Sequence, residues 1–429
     1  MKNIIGIRRE DKNKWEVRVP LIPEHIKHLK EHYAIQTFVQ PFATRAFSDN
    51  EYVEAGATLS EDLKEPSIIF AVKEVPIDLI QPNKAYVFFS HVIKGQSYNM
   101  PMLKKIIELK ATIIDYELIA DGKNRRLVFF GRYAGLAGMI DALNVFGKKL
   151  KSLGHNSPFS GIKSSLEYKD LADAKVHIAA IASEIKDFGL PENIKPCVFG
   201  FAGYGHVSKG AQEILDLLNP KEITPEELVN IKDGENEIYK VVFKEENIVE
   251  PKDEIAKFDL HEYYAQPEKY KPILEKYLKH LTVFVNAVYW DERYPKLIIK
   301  KFLKENYPDL KLKLISDISC DIDGGVEITY KATKPDNPAF TYNPSIDKYQ
   351  DGFEGEGIIN MTVDNLPCEL PKDASVEFST ALIPFVPRIA AADYSKSYEN
   401  VEFPEEIKKA VIVYKGELTP KYEYLKKYL

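Results

Sequence analysis

Short apolar runs that alternate with helical periodicity organise the first part of the chain. The apolar runs predict buried strands at residues 3–7, 67–72, 85–89 and 112–114. Between these strands, amphipathic spacing predicts helices at residues 23–33 and 101–109. Strands separated by helices are typical of a parallel sheet covered on both faces. Ligands of such sheets bind beyond the carboxyl ends of the strands, so the residues at these ends are the first candidates for chemistry.

A second alternation follows a long helix that the pattern predicts over residues 133–154. The charged, tyrosine-rich stretch 232–280 is expected to be an excursion that contains a helix over residues 268–280. The stretch 334–356 is rich in Pro, Asn, Asp and Gly and is expected to be a long loop. Apolar runs predict the strands of this second part at residues 197–201, 282–288, 313–315 and 357–363.

The two alternations predict an α/β protein with two Rossmann-like domains, each built on a parallel sheet, and an interdomain cleft. Pro384 and Pro387 interrupt a helix that begins near residue 374, and we expect the chain to return to the first domain there. The predicted substrate domain therefore comprises residues 1–136 and is completed by the C-terminal segment 375–429. The predicted dinucleotide-binding domain comprises residues 137–374.

Residues 196–215 have the pattern of a buried strand, a glycine turn and the first turns of a helix. Such a turn exposes backbone N–H groups and the positive end of the helix, where a dinucleotide pyrophosphate binds. The motif G-x-G-x-x-G would place its third glycine at position 208, where the chain has a serine small enough for close helix packing. The predicted cofactor-binding residues of the turn are Gly203, Tyr204, Gly205, His206, Val207 and Ser208.

The choice between NADP and NAD is predicted from residues 222–224, the strand expected after this helix. An acid at the end of this strand favours NAD because it binds the ribose diol, whereas an NADP site must not repel the 2′-phosphate. Thr224, with Lys221 nearby, favours NADP. Glu226 and Glu227 lie close enough to keep NAD as the alternative.

Titratable side chains follow several of the predicted strands. Lys73 and His91 stand at equivalent strand ends, and proton transfer requires two groups that can titrate near neutrality in one cleft, so they are the predicted acid–base pair. Glu117 and Asp317 are further strand-end acids. Arg18 lies among apolar residues in a strand-to-helix loop, where its guanidinium is well placed to bind a substrate carboxylate with two hydrogen bonds.

Composition narrows the functional classes. The formal net charge of −7 and the pI near 5.9 give no reason to expect a nucleic acid or an acidic membrane as a partner. No apolar run reaches the roughly 18 residues of a membrane span, and the N-terminus has no signal-peptide core. Three scattered cysteines favour a reducing compartment, so we expect a cytoplasmic protein. Whether the chain forms a homo-oligomer is left open.

A metal site is not predicted. His25, His28 and His32 share one face of the first helix at a spacing compatible with metal ligation. No fourth ligand is evident, however, and the same helix carries several charged side chains, so we interpret this face as solvated.

Several segments match a known family, namely 5–10 (IGIRRE), 18–21 (RVPL), 88–94 (FFSHVIK), 133–140 (YAGLAGMI), 154–159 (GHNSPF) and 203–213 (GYGHVSKGAQE). On these segments the chain resembles, over nearly its whole length, the lysine-ketoglutarate reductase domain of the aminoadipic semialdehyde synthases, which is the L-lysine-forming saccharopine dehydrogenase. More distantly it is similar to the single-chain NAD-dependent saccharopine dehydrogenase and to alanine dehydrogenase.

The resemblance implies an oxidoreductase that joins L-lysine and 2-oxoglutarate to saccharopine by reductive amination with NADPH or NADH. It implies that Lys73 and His91 are the acid–base pair and that Arg18 holds a substrate carboxylate. The same pocket would be lined by Glu74, Glu117 and Arg126.

The resemblance also implies that Asp317, Asn365 and Leu366 stand beside the nicotinamide, and the family tolerates serine at the position of Ser208. Two alternatives remain: an enzyme of the alanine dehydrogenase type that acts on a smaller keto acid, and a nucleotide-binding regulatory protein without turnover.

Overall fold

A computed structural model describes residues 3–429, which form two compact units. Among these residues the first unit comprises 3–130 together with Pro371–Leu429, and the second comprises Gly131–Leu370. Each unit contains one eight-stranded sheet. The two mostly parallel sheets with flanking helices confirm the predicted α/β class.

The first stretch of the chain supplies most strands of the first sheet, in regular alternation with helices. Its elements are β1 (Ile4–Ile7), α1 (Pro23–Tyr33), β2 (Gln36–Val39), α2 (Asp49–Glu54), β3 (Thr58–Leu59), β4 (Ile68–Phe70), β5 (Ala85–Phe88), α3 (Met100–Glu108) and β6 (Thr112–Asp115).

The middle of the chain forms the second unit. Its elements are α4 (Gly131–Ser152), α5 (Leu171–Phe188), β7 (Cys197–Ala202), α6 (His206–Leu215), β8 (Lys221–Ile223), α7 (Pro225–Leu228), β9 (Ile238–Phe243), α8 (Glu245–Ile248), β10 (Val249–Pro251), α9 (Leu260–Ala265), β11 (Tyr270–Pro272), α10 (Glu275–Leu278), β12 (Val283–Asn286), α11 (Lys300–Asn306), β13 (Leu314–Asp317), β14 (Ala339–Asn343), β15 (Lys348–Asp351) and β16 (Ile358–Met361).

The last stretch returns to the first unit, where it contributes α12 (Pro371–Leu382), α13 (Val386–Ala391), α14 (Glu405–Ala410), β17 (Val411–Tyr414) and β18 (Glu417–Leu418). The strand order of the first sheet is β18-β17-β6-β5-β4-β1-β2-β3. All neighbours from β6 to β3 are parallel, whereas β17 pairs with β6 and β18 in antiparallel fashion. The central strands β1, β4, β5 and β6 are buried along their whole length, as their continuous apolar runs predict.

The second sheet has the order β15-β14-β16-β13-β12-β7-β9-β8. Its strands from β16 to β8 are parallel, and the antiparallel hairpin β14–β15 extends one edge. The strand that neighbours β7 is β9, so β8, which follows β7 along the chain, lies one strand further away. The cofactor choice predicted from residues 222–224 requires this strand to lie next to β7, and in the sheet it does not.

Two further predictions about elements are wrong. Residues 270–272 form the strand β11 and only 275–278 are α-helical, so no α-helix spans 268–280. Pro267 and Pro272 restrict the backbone there. The stretch 334–356 contains the hairpin β14–β15, in which aromatic residues pair across the strands with Tyr342 opposite Tyr349. The predicted helix over 133–154 is confirmed as α4.

Glycine allows α4 and α6 to pack closely in the second unit. A Cβ atom on Gly135 would lie 1.9 Å from the carbonyl oxygen of Val207, and one on Gly210 would lie 2.2 Å from the carbonyl oxygen of Arg132. Neither position therefore accepts a larger residue without separating the helices. Over residues 3–429, no helix is both long and apolar enough to cross a bilayer.

Candidate active site

The predicted acid–base residues Lys73 and His91 lie with Glu74 at the carboxyl edge of the first sheet, and we name these three residues the acid–base cluster after that prediction. Lys73 and Glu74 follow β4, and His91 follows β5, the parallel neighbour of β4. Nδ1 of His91 lies 2.6 Å from Oε1 of Glu74. Glu74 from one strand end and His91 from the next are thus in contact.

The chain bends sharply after β5, and this bend directs His91. The φ angle of His91 is +49°, in the left-handed region that non-glycine residues seldom adopt. Hydrogen bonds hold the bend: the backbone N–H of Ser90 donates to Oδ2 of Asp115 (3.0 Å), and Nδ2 of Asn99 donates to the carbonyl oxygens of Ser90 and His91 (3.2 Å each). Burial raises the pKa of the Asp115 carboxyl to about 6.

A buried carboxylate fixes the backbone of Lys73. Glu10 is 4% exposed, and its two oxygens accept hydrogen bonds from the backbone N–H groups of Val72 (2.8 Å) and Lys73 (2.9 Å). Burial raises the pKa of Glu10 to about 7. Burial, and then the charge of the nearby Arg18, lowers the pKa of the Lys73 ammonium, which moves this amine toward the range in which it can exchange a proton.

Glu74 connects His91 with Lys12. Besides His91, its carboxylate contacts Nζ of Lys12 at 3.1 Å. Although burial acts in the opposite direction, the hydrogen bond and charge of His91 hold the pKa of the Glu74 carboxyl well below its usual range. Glu74 is therefore an anion that orients the imidazole through Nδ1.

Arg18 is anchored within the first unit. Its Nε and Nη2 donate to the two carboxylate oxygens of Glu16 at 2.7 and 2.5 Å, and both side chains are buried. The guanidinium carbon of Arg18 lies 4.2 Å from the ring centre of Phe130, which itself stacks on Phe378. This paired and stacked arrangement fixes the guanidinium in one orientation.

Glu117 and Arg126, both predicted from the resemblance, form an ion pair with each other. The backbone N–H of Glu117 donates to Oδ1 of Asp115 at 2.8 Å, so the strand-end carboxylate of β6 supports both this residue and the bend before His91. Arg126 is more exposed than Glu117, with side-chain exposures of 54% and 19%.

The glycine turn of the second unit has the geometry of a nucleotide-binding turn. Gly203 has a φ of +91°, and a Cβ atom there would lie 2.9 Å from Cγ1 of Val288. Gly205 caps α6, and a Cβ atom there would project into open space. The turn lines a cavity of about 290 Å³, which we name the glycine-turn cavity; its walls also include Glu245, Tyr264 and Trp290.

The glycine turn could hold the pyrophosphate of a dinucleotide. The ten-residue helix α6 presents its N-terminus at Gly205, and helix N-termini bind phosphate through free backbone N–H groups. Tyr204 is exposed at the turn, whereas Ser208 is fully buried where a third glycine would stand. The Ser208 hydroxyl accepts a hydrogen bond from Nε2 of Gln212 at 2.9 Å, so serine is accommodated without loosening the helix. His206 and Val207 form the first turn of α6.

Asp317 ends β13 and is 1% exposed. Its oxygens accept hydrogen bonds from Nδ2 of Asn286 (2.8 Å) and from the hydroxyl of Thr329 (2.6 Å). Burial raises the pKa of this carboxyl to about 6. Asp317 is thus held firmly beside the ends of β12 and β13.

Asn365 and Leu366 stand at the start of a short 3-10 helix, Leu366–Glu369, and both are buried. A Cβ atom on Gly138 of α4 would lie 3.1 Å from Cδ1 of Leu366 and 2.8 Å from Cδ1 of Ile318. The segments that begin at Asp317 and at Asn365 therefore meet on the same stretch of α4.

Thr224 lies apart from the glycine-turn cavity. It is exposed and caps α7, accepting a hydrogen bond from the backbone N–H of Glu227 at 3.2 Å. Its strand, β8, is separated from β7 by β9. Glu245, which follows β9, lines the cavity instead.

Glu10, Glu16 and Glu245 were not predicted from the sequence. Glu16 stands two residues before Arg18, and that short spacing was an available signal for a pair. Glu10 contacts Lys73 across 63 positions of the chain, and nothing local to either residue indicates this contact. Glu245 lies in the stretch that was interpreted as an excursion.

The two sheets and the glycine turn define an α/β protein with Rossmann-like units. Two family models match the chain: Alanine dehydrogenase/PNT, N-terminal domain, over residues 6–137, and Alanine dehydrogenase/PNT, C-terminal domain, over residues 252–421. The chain belongs to the alanine dehydrogenase/PNT family. A family of this type implies a nicotinamide cofactor.

Curated relatives carry names from lysine metabolism. Alpha-aminoadipic semialdehyde synthase of Arabidopsis thaliana is 39% identical over 98% of this chain and 41% of its own length. The mitochondrial alpha-aminoadipic semialdehyde synthase of Mus musculus is 34% identical over 99% of this chain and 48% of its own length. The chain thus spans less than half the length of these relatives.

Shorter relatives and solved structures agree with this family. A saccharopine dehydrogenase [NAD(+), L-lysine-forming] of Emericella nidulans is 23% identical over 93% of this chain and 96% of its own length. The structure of an L-alanine dehydrogenase superposes with a TM-score of 0.64 at 18% identity and covers 99% of both chains, which supports the fold. Together the relatives support an oxidoreductase of the amino-acid dehydrogenase type.

Proposed function

We propose that this chain catalyses the reversible reductive amination of 2-oxoglutarate by the ε-amine of L-lysine, which yields saccharopine. The first unit would take the two substrates, and the second would take the nicotinamide dinucleotide. The observation that carries the proposal is the acid–base cluster at the carboxyl edge of the first sheet, where Glu74, after β4, contacts His91, after β5.

The reaction needs one group that handles protons at nitrogen and one that handles protons at oxygen. The ε-amine of lysine must be neutral to attack the carbonyl carbon, and the resulting carbinolamine must lose water to form the imine. The reduced nicotinamide, when bound, supplies the hydride that saturates this imine.

Lys73 suits the nitrogen. Its lowered pKa allows a neutral amine to accept the proton that the substrate nitrogen gives up. His91 suits the oxygen, because Glu74 engages Nδ1 and leaves Nε2 to donate a proton to the departing water. Glu10 keeps the Lys73 backbone in place throughout.

Charge complementarity guides the assignment of the substrate groups. The substrates bring three carboxylates and one α-ammonium, so the site needs several cations and at least one anion. We assign carboxylates to Arg18 and Arg126, whose guanidinium groups Glu16 and Glu117 hold in place. We assign the α-ammonium of lysine to Glu117 or Glu74. In the second unit, Asp317, Asn365 and Leu366 would flank the nicotinamide.

An absorbance assay at 340 nm tests the function. We expect oxidation of the reduced nicotinamide with L-lysine plus 2-oxoglutarate and no more than a trace with ammonia plus pyruvate. The reverse preference would favour an enzyme of the alanine dehydrogenase type. Cofactor binding without turnover on any amine and keto-acid pair would favour a regulatory nucleotide-binding protein.

Variants of the acid–base cluster test its role. Lys73→Met and His91→Gln should each lower kcat by about a hundredfold or more, because each removes one proton-transfer group. Lys64→Met and His32→Gln are matched controls, since both residues are exposed in the same unit, and they should retain full activity. Full turnover of either cluster variant at saturating substrate would contradict the assignment.

A further inference from the structure

Two buried carboxyl groups contact each other in the second unit, where α4 packs against the 3-10 helix Leu366–Glu369. They belong to Asp141 of α4, which is 1% exposed, and to Glu369, which is 2% exposed. Oδ1 of Asp141 accepts a hydrogen bond from the backbone N–H of Ser165 at 2.7 Å. Over residues 3–429, no N–H group and no hydroxyl donates to Oδ2 of Asp141 or to either oxygen of Glu369. The partner of each carboxyl group is thus the other one.

A buried carboxyl pair of this kind requires a proton. Two ionised carboxylates in contact repel each other, and burial removes the water that would screen the repulsion. An ionised carboxylate only accepts hydrogen bonds, so a hydrogen bond between the two groups forms only when one of them is protonated. Over residues 3–429, His, Cys, Asp and Glu side chains form no group of three or more that could hold a metal ion. A proton therefore compensates the charge of this pair.

Of the two groups, Glu369 holds the proton more firmly. Burial, and then the negative charge of Asp141, raises the pKa of Glu369 well above its ordinary value. Burial raises the pKa of Asp141 as well, but hydrogen bonds from Glu369 and Ser165 act in the opposite direction. The positive charge of Lys148 also favours the ionised form of Asp141. Asp141 is accordingly the better acceptor, and Glu369 the better donor.

The pair lies at one end of a short segment whose other end also rests on α4. Gly138 and Asp141 are one helical turn apart on α4, and Leu366 and Glu369 stand at the two ends of the 3-10 helix. Gly138 leaves room for Leu366, since a Cβ atom there would lie 3.1 Å from Cδ1 of Leu366. We name residues 365–369 the nicotinamide-flanking segment, after the role proposed above for its first two residues.

We propose that Glu369 keeps its proton at neutral pH, donates a hydrogen bond to Asp141, and so acts as a positioning residue for the nicotinamide-flanking segment. When this proton is lost to water at alkaline pH, two adjacent buried anions remain, and their repulsion separates the segment from α4. Dinucleotide binding then weakens. The positioning role rests on the proposed function, which places the nicotinamide beside this segment, whereas the shared proton does not.

Three other titratable side chains interact with the pair, namely Lys148 of α4, Tyr168 and Cys368. Burial raises the pKa of Tyr168 from 10.0, so its hydroxyl is neutral below that pH. The thiol of Cys368 is the neighbour whose titration a control variant has to separate from that of the pair.

Urea unfolding of the full chain tests the shared proton without any ligand. A carboxyl group whose pKa is raised in the folded chain contributes stability that is complete below its ordinary pKa, 4.5 for Glu369, and is lost as the pH rises through the raised value. Between about pH 6.5 and pH 9.5 the free energy of unfolding should therefore fall more steeply for wild type than for Glu369→Gln. The amide of that variant donates to Asp141 but does not titrate.

Fluorescence titration with NADH, or with NADPH if NADH does not bind, tests the positioning role. The wild type should bind at least about threefold more weakly at pH 9.5 than at pH 6.5, whereas Glu369→Gln should match the wild type at the lower pH and keep that affinity at the higher. Two controls should retain the wild-type pH dependence: Glu354→Gln, at an exposed acid of the same unit, and Cys368→Ser, which removes the neighbouring thiol.

A second variant guards against a loss of folding, which circular dichroism melts detect. If Glu369→Gln does not fold, Asp141→Asn takes its place. Its amide can accept from a protonated Glu369 and donate to an ionised one, so this variant should also flatten both pH profiles.

The outcomes separate the two proposals. Parallel unfolding profiles for wild type and a folded amide variant would overturn the shared proton. A steeper stability profile of the wild type together with pH-independent dinucleotide binding would overturn the positioning role. The absence of binding by either dinucleotide would refute the proposed function and the positioning role with it. Binding with the expected pH dependence but no turnover of L-lysine and 2-oxoglutarate would support the positioning role and refute the proposed reaction.

Discussion

Buried carboxylates position the acid–base cluster at the residue scale. Glu10 fixes the backbone of Lys73, Glu74 orients His91, and Asp115 secures the bend that precedes His91. Burial raises the pKa of Glu10 and of Asp115, whereas contact with His91 holds that of Glu74 low. The different environments of these carboxyl groups thus move their pKa values apart, which lets Glu74 serve as a fixed anion while Glu10 titrates nearer to neutral pH.

Glu10 makes a pH-dependent contribution to stability. Its pKa in the folded chain is raised from 4.5 to about 7, so the folded state binds more protons than the unfolded state between these values. The stabilising contribution of the protonated form is complete below about pH 4.5 and is lost as the pH rises through about 7. We therefore expect the free energy of unfolding to fall over this window, by about 3 kcal/mol from this group alone.

Glu10→Gln removes the titrating group and should flatten this part of the stability profile. The measurement is urea unfolding of wild type and variant at several values between pH 5 and pH 8. Glu65→Gln, at an exposed acid of the same unit, is the control and should follow the wild-type curve. Parallel curves for Glu10→Gln and wild type would show that Glu10 does not titrate in this window.

At the scale of elements, local sequence patterns predicted those strands that depend on local sequence alone. Apolar runs located the strands on which Lys73, His91 and Gly203 depend, and these residues stand at strand ends as expected. The pattern did not reveal β9, because Lys240 interrupts its apolar run and charged residues flank it. In the sheet Nζ of Lys240 pairs with Asp216 and Glu222, long-range contacts that offset its burial and that no local pattern contains.

The strand order of the second sheet was the most consequential feature that the sequence pattern did not predict. If residues 238–243 belong to an excursion and not to a strand, β8 is the expected neighbour of β7, and ribose recognition is then expected at Thr224. The partners of Lys73 and Arg18 were not predicted either. Glu10, which binds the backbone of Lys73, lies far away in the chain, and Glu16, which pairs with Arg18, lies in a segment that the pattern predicts as a loop. The fold class survived because alternation of strands and helices is sufficient to predict it.

The contact between α4 and α6 gives a prediction at this scale. A Cβ atom on Gly135 would lie 1.9 Å from the carbonyl oxygen of Val207, so Gly135→Ala must displace α6 and its N-terminus at the glycine turn. We expect a loss of about 2–3 kcal/mol in the free energy of unfolding, as for other overpacked cores, and weaker dinucleotide binding.

Gly161→Ala in the same unit is the matched control for this prediction. The atom nearest to a Cβ there is Cδ1 of Ile181 at 3.4 Å, an ordinary contact distance, so this variant should unfold like wild type. Chemical denaturation and NADH titration of both variants provide the comparison. Equal stability of Gly135→Ala and wild type would mean that the helices do not approach as closely as described.

At the scale of the whole molecule, the two units use the chain differently. The second is one continuous stretch, Gly131–Leu370, with its own eight-stranded sheet. The first is assembled from both ends: β17 from the last stretch pairs with β6, and Phe378 of α12 stacks on Phe130. Continuity therefore predicts that the second unit folds without the rest of the chain, whereas the N-terminal stretch of the first unit does not.

Expression of the fragment 131–370 checks this prediction. Because its sheet, its glycine turn and Glu245 all lie inside it, we expect a cooperative unfolding transition and an NADH affinity within about threefold of the full chain, a difference below 1 kcal/mol. The fragment 1–130 lacks β17 and Phe378, leaves the apolar edge of β6 unpaired, and should show no cooperative transition. Mixing 1–130 with a peptide of residues 371–429 should restore one if the missing strand and aromatic contact are the cause. Failure of 131–370 to fold or to bind NADH would mean that the dinucleotide site depends on residues outside the second unit.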